Sequence, residues 1–484
     1  MRRFDLAVVG AGIAGLAVAE IFARSGHRVV LIEKNDVVCG ETSGSHHAWF
    51  HFGSLYSIFP NNQFMRTLVG GIDDLLDYYR DFPGLNVRTN KAGKLCFANG
   101  KSAWIRDEPI QYLVAARNDS DFALDVFESV PSYLRKLFFT LTWDLTIKQF
   151  ISRHQRFEKF DWRSGPASRY VPKAGWLDYS RDVIFKVGDI DVNLDKNTHF
   201  RVQGFDRPMN AEVIVGDLLH GFLSAGGEIR LRTECMRWDE RSGPVQIETT
   251  NGAIAADRVL FAAGSNLAPL LPDKMKVNIV ASPLLVVYPS VCSEHFVRLT
   301  PTIDRTVNHL LHHADGQPYS LIGGGYSADP ESPEQMERCK TRLLEMAERV
   351  LPKVKEAEFR KTYVSYKTEV KSQLGERNYQ YLIRELSERT FAVVPGKFSL
   401  GFSLAVNAYQ RLMGRDPARQ VRLDPTINVE SMVAPIRHRR LVEEFIGSER
   451  KGREGRIATG IGLELNPETV SGAEQKEYHA HIRE

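Results

Sequence analysis

The sequence is poor in cysteine, has no long apolar run and shows no excess of one charge. Its five cysteines (Cys39, Cys96, Cys235, Cys292, Cys339) are an odd number, widely scattered, with no C-x-x-C spacing. That pattern argues against a disulfide framework and a zinc site and for a reducing compartment, so a cytoplasmic location is expected. No stretch reaches the roughly 18 uncharged apolar residues that cross a bilayer, so no integral membrane segment is expected. Lys+Arg 63 against Asp+Glu 60 leaves a net charge of +3. Without a strong field, nucleic acid is not an expected partner. Two basic clusters near the end, Ile436–Arg440 and Ser448–Arg456, read as solvated faces. Internal repeats are missing as well. What remains is an ordinary globular composition, 43% hydrophobic and 25% charged, over 484 residues, enough for two or three domains.

What the sequence does have is a glycine spacing. The stretch "FDLAVVGAGIAGLAVAEIFARSGHRVVLIEK" reads as strand, turn, helix, turn, strand. Leu6 to Val9 is continuously apolar, as in a parallel strand buried on both faces. Gly10, Gly12 and Gly15 form G-x-G-x-x-G where that strand becomes a helix over Ile13–Arg24. The first glycine permits the tight turn, the second lets a pyrophosphate approach the backbone, and the third lets helix and strand pack closely. Phosphates then rest on free N–H groups at the positive end of the helix. A strand over Arg28–Ile32 ends in Glu33, an acid placed to accept from a ribose diol. Candidate cofactor contacts at this end are Gly10, Gly12, Ile13, Ala14, Gly15, Glu33 and Lys34. The glycine spacing and an acid at Asp5, ahead of the apolar run, argue against a signal peptide.

Two later segments decide between NAD and FAD. "NAEVIVGDLLHGFLSAGGEIRLRTECMRWDE" reads as a helix over Ala211–Ala225, a glycine stop and a strand over Glu228–Leu231. A hairpin turning at Thr250–Gly252 runs into a buried strand, Arg258–Ala262, that ends in Ala263-Gly264. This resembles the returning half of the FAD domain in two-dinucleotide-domain flavoproteins. The resemblance implies FAD as cofactor, with Met236, Ala263 and Gly264 among its contacts, and a nucleotide domain that is discontinuous in sequence.

Within that class the chain resembles the D-amino-acid oxidase (DAO) superfamily, and most of all its monomeric sarcosine oxidase branch. Three landmarks carry the resemblance. Gly44-Ser45-His46-His47 matches that branch's G-S-H-H, which lies along the ribityl chain and the flavin ring. Pro318–Ser332 is similar to a substrate-domain strand that ends near the flavin. Val394–Gly414 is similar to the C-terminal G-x-K-F-S segment, where a helix begins against the flavin. The resemblance implies an α/β fold: an FAD-binding Rossmann-like domain of glutathione-reductase type and a second, antiparallel-sheet substrate domain. Residues 1–60, 200–275 and 385–420 are assigned to the first, 61–199 and 276–384 to the second, and 421–484 to a polar extension. Thr42, Ser43, Ser45, His46, Phe398 and Ser399 join the expected FAD contacts. For His46 and His47, a packing or ribityl-contact role stands beside proton transfer.

The implied reaction is oxidation of a C–N bond in an amine or amino-acid type substrate, by hydride transfer to flavin N5. Candidate catalytic residues are His51, His47 and Lys397, with His51 or His47 holding or accepting a proton near neutral pH. The departures from the branch are specific. His51 and Ser54 stand where it has arginines, its oxygen-activating lysine has no counterpart around Ile322 and Gly323, and no cysteine stands near Lys397 for covalent attachment. A non-covalent FAD is therefore expected, and a bidentate clamp for a carboxylate is missing. Phe50-His51-Phe52-Gly53 also resembles the I-H-x-G of the hydroxyacid branches, so oxidation of a hydroxy acid or alcohol is the alternative. A flavin monooxygenase, for which the G-D-A-A-H-type motif is missing, and a non-catalytic assembly factor are weaker rivals. A metal site at His46, His47 and His51 is not expected, because the first two are adjacent and no carboxylate stands between them and the third. A helix is predicted over 62–80. The aromatic helical stretch Phe122–Trp162 is open to three readings: core, lid, or an interface that would make the protein an oligomer.

Overall fold

The computed structural model describes residues 3–50, 110–115, 199–203, 207–241, 243–271, 275–299, 306–370 and 380–460, with short pieces at 67, 74–75, 78, 87–89 and 95–97. The expected helix over 62–80 falls almost wholly outside the described residues; His51, Ser54 and the aromatic stretch Phe122–Trp162 fall outside altogether, as does the tail after 460.

The chain opens with strand β1 (Arg3–Val9), helix α1 (Ile13–Arg24) and strand β2 (Val29–Ile32). Every residue of α1 from Ile13 to Ala23 is buried, as expected of a helix apolar all round. Its one acid, Glu20, is held by Arg24 at 2.8 Å; burial pushes this carboxyl's pKa up and Arg24 opposes the shift.

Strands β3 (Gln111–Ala115) and β4 (His199–Gln203) follow, then helix α2 (Ala211–Ser224) and strands β5 (Glu228–Arg230), β6 (Cys235–Asp239), β7 (Val245–Thr249) and β8 (Gly252–Phe261). Four strands come next: β9 (Val277–Tyr288), the short β10 (Phe296–Leu299) with its partner β11 (Val307–Ala314), and β12 (Gln317–Gly324). Helix α3 (Pro333–Val350) and strand β13 (Phe359–Val370) precede β14 (Leu382–Glu385), β15 (Thr390–Val394), α4 (Gly401–Met413) and α5 (Arg437–Gly460).

The strands form two main sheets. The first runs β6-β7-β8-β1-β2-β5, with β15 on the free side of β8 and β14 beyond it. Its centre is parallel, Leu6 lying opposite both Val29 and Arg258. The second runs β13-β9-β12-β11-β10-β3-β4 and is antiparallel except where β10 meets β3. Helix α3 covers one face of this sheet, placing Leu343, Ala347 and Val350 against Leu285, Val287, Val307 and Ile322. The period-2 alternation of the strands turns Val297, Asn308 and Leu310 to the other face.

Strand β13 is an edge of the second sheet, and an open edge is a liability. It is sealed from the first half of the chain and from the C-terminal segment. Thr42 Oγ1 donates to Tyr366 O (2.6 Å) and Ser45 Oγ lies 3.2 Å from Ser365 Oγ. Arg437 donates to Val364 O (3.3 Å) and stacks over Tyr363. The basic cluster Ile436–Arg440 is therefore not the solvated face its composition predicts. Ile436 and His438 are buried, Arg439 pairs with Glu212 at 2.8 Å, and His438 Nδ1 sits 2.6 Å from Tyr319 OH. Alternating residues of a helix start can be cationic outside and apolar inside, which composition does not reveal.

Candidate functional site

A cavity of about 780 Å³ opens above the carboxyl ends of β1 and β8, within the size range of ligand sites. At one end its walls are the glycine turn. Gly10 has φ +101°, and a methyl group built on it would lie 2.7 Å from Ala262 O. Glycine is thus required there for conformation and for room. A side chain on Gly15 would collide with Gly10 O, so Gly15 serves packing, and it does not line the cavity. The start of α1 carries no acid and no side-chain cap from Gly12, and Ile13 N donates to Ser43 Oγ at 3.1 Å. Glu33 accepts from Ala11 N (2.8 Å) and Asn35 N (3.0 Å), which fixes its carboxylate at the rim. Burial pushes the Glu33 carboxyl up, and those hydrogen bonds pull it back. Lys34 pairs with Glu41 at 3.2 Å. Met236 is 60% exposed on this wall, a large apolar surface that a bound planar ring would cover.

The other end is built by the turn Thr42–Trp49, the start of α4 and the second sheet. His46 Nδ1 accepts from Ala48 N at 2.8 Å, so the proton of this neutral ring sits on Nε2. Ala48 takes the left-handed region, φ +56°, at a cost of about 1–2 kcal/mol, which that hydrogen bond helps offset. His46 packs on Phe398, ring centroids 4.7 Å apart. Burial, and then the Lys367 charge, hold the His46 imidazole down to about 3. His47 is pushed well below its ordinary value by burial, Lys367, His46, Lys397 and His438, in that order. Both shifts favour the neutral imidazole. His47 was expected as a proton holder or acceptor near neutral pH. Uptake of a proton would create a buried cation beside two lysines, which disfavours the acceptor role and favours hydrogen bonding.

The structure brings together on one cavity Gly10, Gly12, Ile13, Ala14, Glu33, Lys34, Thr42, Ser43, His46, His47, Met236, Ala263, Gly264, Lys397, Phe398 and Ser399. Ser45 is the second exception after Gly15: its hydroxyl turns to Thr42 O and Ser365 and locks the turn to β13 instead of facing the cavity. Sequence reasoning missed Lys367 and Thr368 on β13, Thr306 and Asn308 at β11, and Trp49. The signal available was period 2, with Thr306, Asn308 and His312 on one face, but His309 and His313 on the other face blur it. No alternation in β13 distinguishes a cavity lysine from a surface one.

The family model "DAO: FAD dependent oxidoreductase" matches residues 5–124 and 208–407. The chain belongs to this family. It is an FAD-dependent oxidoreductase, and its fold is that of solved DAO-like enzymes. Glycine oxidase from Geobacillus kaustophilus is 15% identical, with 90% of this chain and 98% of that one covered and a TM-score of 0.52. An L-alpha-glycerophosphate oxidase from Mycoplasma pneumoniae, solved with FAD bound, is 15% identical over 89% and 98%, TM-score 0.55. Iminodiacetate oxidase from Chelativorans sp. BNC1 is 11% identical over 88% and 98%, TM-score 0.55. At these identities the likeness concerns the fold. Among curated proteins, a UDP-galactopyranose mutase of Mycoplasma genitalium is 30% identical over 94 residues, 19% of this chain and 23% of that protein.

The residues present fit the FAD that the family carries. The glycine cradle admits a backbone-bound diphosphate and Met236 presents an open apolar face. His46 and His47 each hold a buried Nε2 with no hydrogen-bond partner among the described residues. No helix among the described residues is long and apolar enough to cross a membrane, and no group of three or more metal-ligating side chains occurs among them.

Proposed function

We propose that the protein oxidises the C–N bond of an amine or amino-acid type substrate bearing an anionic group, as a relative of the monomeric sarcosine oxidase-like branch. The observation that carries this reading is that Lys367 and Lys397 line one cavity with His46 and His47, two imidazoles that their surroundings keep neutral. The glycine oxidase and iminodiacetate oxidase among the structures of the same fold support a nitrogen-bearing substrate by their names. The G-S-H-H turn supports the branch, and the first sheet is read as the FAD domain, the second as the substrate domain.

FAD supplies the redox chemistry when bound, accepting a hydride from the substrate carbon. The chain's own residues position the substrate and set its protonation. Lys397, from the segment before α4, and Lys367, from β13, attract a carboxylate and disfavour a second cation. An ammonium group entering beside them is driven to release its proton to solvent, which frees the nitrogen lone pair needed as the C–H bond breaks. A lysine pair is the local replacement for the guanidinium clamp, with point charges instead of a fork. Gly10, Gly12, Ile13, Ala14, Glu33, Lys34, Thr42, Ser43, Met236, Ala263, Gly264, Phe398 and Ser399 are proposed cofactor contacts. The FAD is proposed to be non-covalent, since the cavity's thiols are Cys39, buried and pushed far up in pKa, and Cys235, pushed up to about 11. None of Cys39, Cys235, Cys292 and Cys339 is in a disulfide, which supports a cytoplasmic location.

Anaerobic titration of the FAD-loaded protein tests the reading. The panel is glycine, N-methylglycine, L-proline, L-phenylalanine, benzylamine, L-lactate and sn-glycerol 3-phosphate. Bleaching of the flavin by an amino acid, with benzylamine slow, is the expected result. Bleaching by lactate or glycerol phosphate alone sinks the C–N reading in favour of an alcohol. The limiting rate of reduction is also expected to rise with pH through a single ionisation below the free amine's own pKa. Between about pH 5 and 8, where an ordinary histidine titrates, no additional ionisation from His46 or His47 is expected; one there would overturn the neutral-ring assignment.

A further inference from the structure

The run Ile322-Gly323-Gly324-Gly325 leaves three successive positions without a side chain at the end of β12. Gly323 is buried and does not line the cavity. Its strand is paired on both sides at this point, with Leu284 of β9 on one flank and Asn308 of β11 on the other. A methyl group built on Gly323 would lie 2.0 Å from His47 Nε2, 2.9 Å from His47 Cδ2 and 3.0 Å from Asn308 Oδ1. One edge of the imidazole therefore rests directly on bare backbone. The part-buried ring also lines the cavity, so His47 stands between Gly323 and whatever occupies that space.

Neither partner has room to yield backwards. Shifting Gly323 would disturb the ladders to both neighbouring strands. The turn that carries His47 is fixed on each side of it: Ser45 Oγ lies 3.2 Å from Ser365 Oγ, and Ala48 N donates to His46 Nδ1 at 2.8 Å. A side chain at 323 would drive the ring from 2.0 Å out to ordinary contact at 3.4 Å or more. The open direction for that movement is the cavity. What the ring would fill there is an uncharged stretch of wall. Val297 lies opposite Asn308 and Val307 opposite Gly324, while Gly325 N donates to Thr306 O at 3.3 Å. Val297, Thr306, Gly324 and Gly325 thus form one patch of the cavity wall with no charge of its own.

We propose that Gly323 is a positioning residue that sets the width of the substrate end through His47. Its bare backbone seats the imidazole, and the seat keeps open a recess over Gly324 and Gly325 for the substituent on the carbon that bears the nitrogen. This rests on the amine-oxidation reading above and narrows its substrate class to α-substituted amino acids. The lysines attract the carboxylate, and the uncharged patch suits an apolar substituent, which gains by leaving water. Size selection follows from the same contact. One methylene group in a closed pocket is worth about 10- to 200-fold in discrimination. A ring pushed into the recess is therefore felt by a large substituent and not by the hydrogen of glycine.

The test uses the full-length FAD-loaded protein, reduced with dithionite so that it cannot turn an amino acid over, with glycine and L-phenylalanine as probes. Calorimetry gives the Kd of each. Wild type is expected to bind L-phenylalanine at least as tightly as glycine. Gly323→Ala is expected to weaken L-phenylalanine 10-fold or more relative to glycine, with its FAD affinity kept. Adding His47→Ala to Gly323→Ala is expected to restore L-phenylalanine binding, because the shortened side chain vacates the space the new methyl needs. His47→Ala alone leaves β12 untouched and is expected to shift the ratio towards L-phenylalanine, which decides the matter if Gly323→Ala does not fold. The proposal is overturned if Gly323→Ala shifts the ratio by less, if the double variant fails to restore binding, or if His47→Ala leaves the ratio unchanged. It is overturned as well if wild type prefers glycine, or if Gly323→Ala loses FAD affinity 10-fold or more, which would assign the seat to the cofactor. A wild-type flavin that no panel amine reduces is a different failure: it removes the amine-oxidation reading itself.

Discussion

Gly10→Val yields a protein that purifies without flavin, its FAD affinity lowered at least 100-fold. Valine at φ +101° is strained in its backbone alone, by about 1–3 kcal/mol. The larger effect is contact. The new Cβ would sit 2.7 Å from the carbonyl oxygen of Ala262 and 2.9 Å from its carbon, and these are backbone atoms that follow a buried strand. Moving them shifts β8 against β1, whose register sets Val9 opposite Phe261 in the core, so the turn moves instead and the phosphate cradle opens. A factor of 100 is about 2.7 kcal/mol, within reach of strain and overlap together. Gly26→Ala separates the two causes. Gly26 also has positive φ, +90°, with nothing within 4 Å of the added methyl, so this variant loses about 1 kcal/mol of stability and keeps its flavin. Flavin absorbance per mole of protein and fluorescence titration with FAD read both outcomes. A yellow, stoichiometric Gly10→Val protein would show that the glycine turn is not where the phosphates rest.

Lys367→Met produces the largest change in substrate handling. Lys367 is the leading charge acting on both His46 and His47, and with Lys397 it gives this end of the cavity its positive field. Replacing one of two cations that meet a carboxylate is expected to weaken binding of an anionic amino acid about 10- to 100-fold, consistent with about 1.5–3 kcal/mol for hydrogen bonds to charged groups. The same substitution moves the pH dependence in a defined direction. A neighbouring cation lowers the pKa of a bound amine because it penalises the ammonium form. Removing that cation lets the ammonium form persist to higher pH, so the ionisation that limits flavin reduction shifts up towards the free amine's value. Lys367→Arg keeps the charge and keeps the profile. The pH dependence of the limiting reduction rate separates these outcomes; an unchanged profile in Lys367→Met with intact binding would remove Lys367 from the substrate end.

These two predictions rest on different kinds of knowledge. Gly10, Gly12 and Gly15, the bounds of α1 and the acid at Glu33 were legible in the sequence because each follows from a local rule. A glycine spacing sets a turn, an unbroken run of small apolar residues sets a buried helix, and a strand end places the next residue at a rim. The same locality made the turn Thr42–His47 legible as a wall of the site, although it misassigned Ser45, whose hydroxyl is taken by β13. Lys367, Asn308 and His438 were not legible. Each is one polar residue in a strand or helix whose pattern is compatible with a solvent-facing position.

Only tertiary structure decided what they face. The pairing of Asn308 with Gly323 follows from the register of β11 on β12, and a one-residue slip would turn Asn308 to the opposite face. Lys367 reaches the cavity because Thr42 and Arg437 fasten the edge strand β13 beside the turn. The sequence by itself determined the glycine turn and the helix start that wall one end of the cavity, since backbone sterics and helix polarity act within about thirty residues. The lysines on the cavity wall, the imidazoles beside them and the buried carboxamide of Asn308 were decided by the tertiary structure. Burial and the approach of residues hundreds of positions apart set those properties, and neither is written in any local pattern.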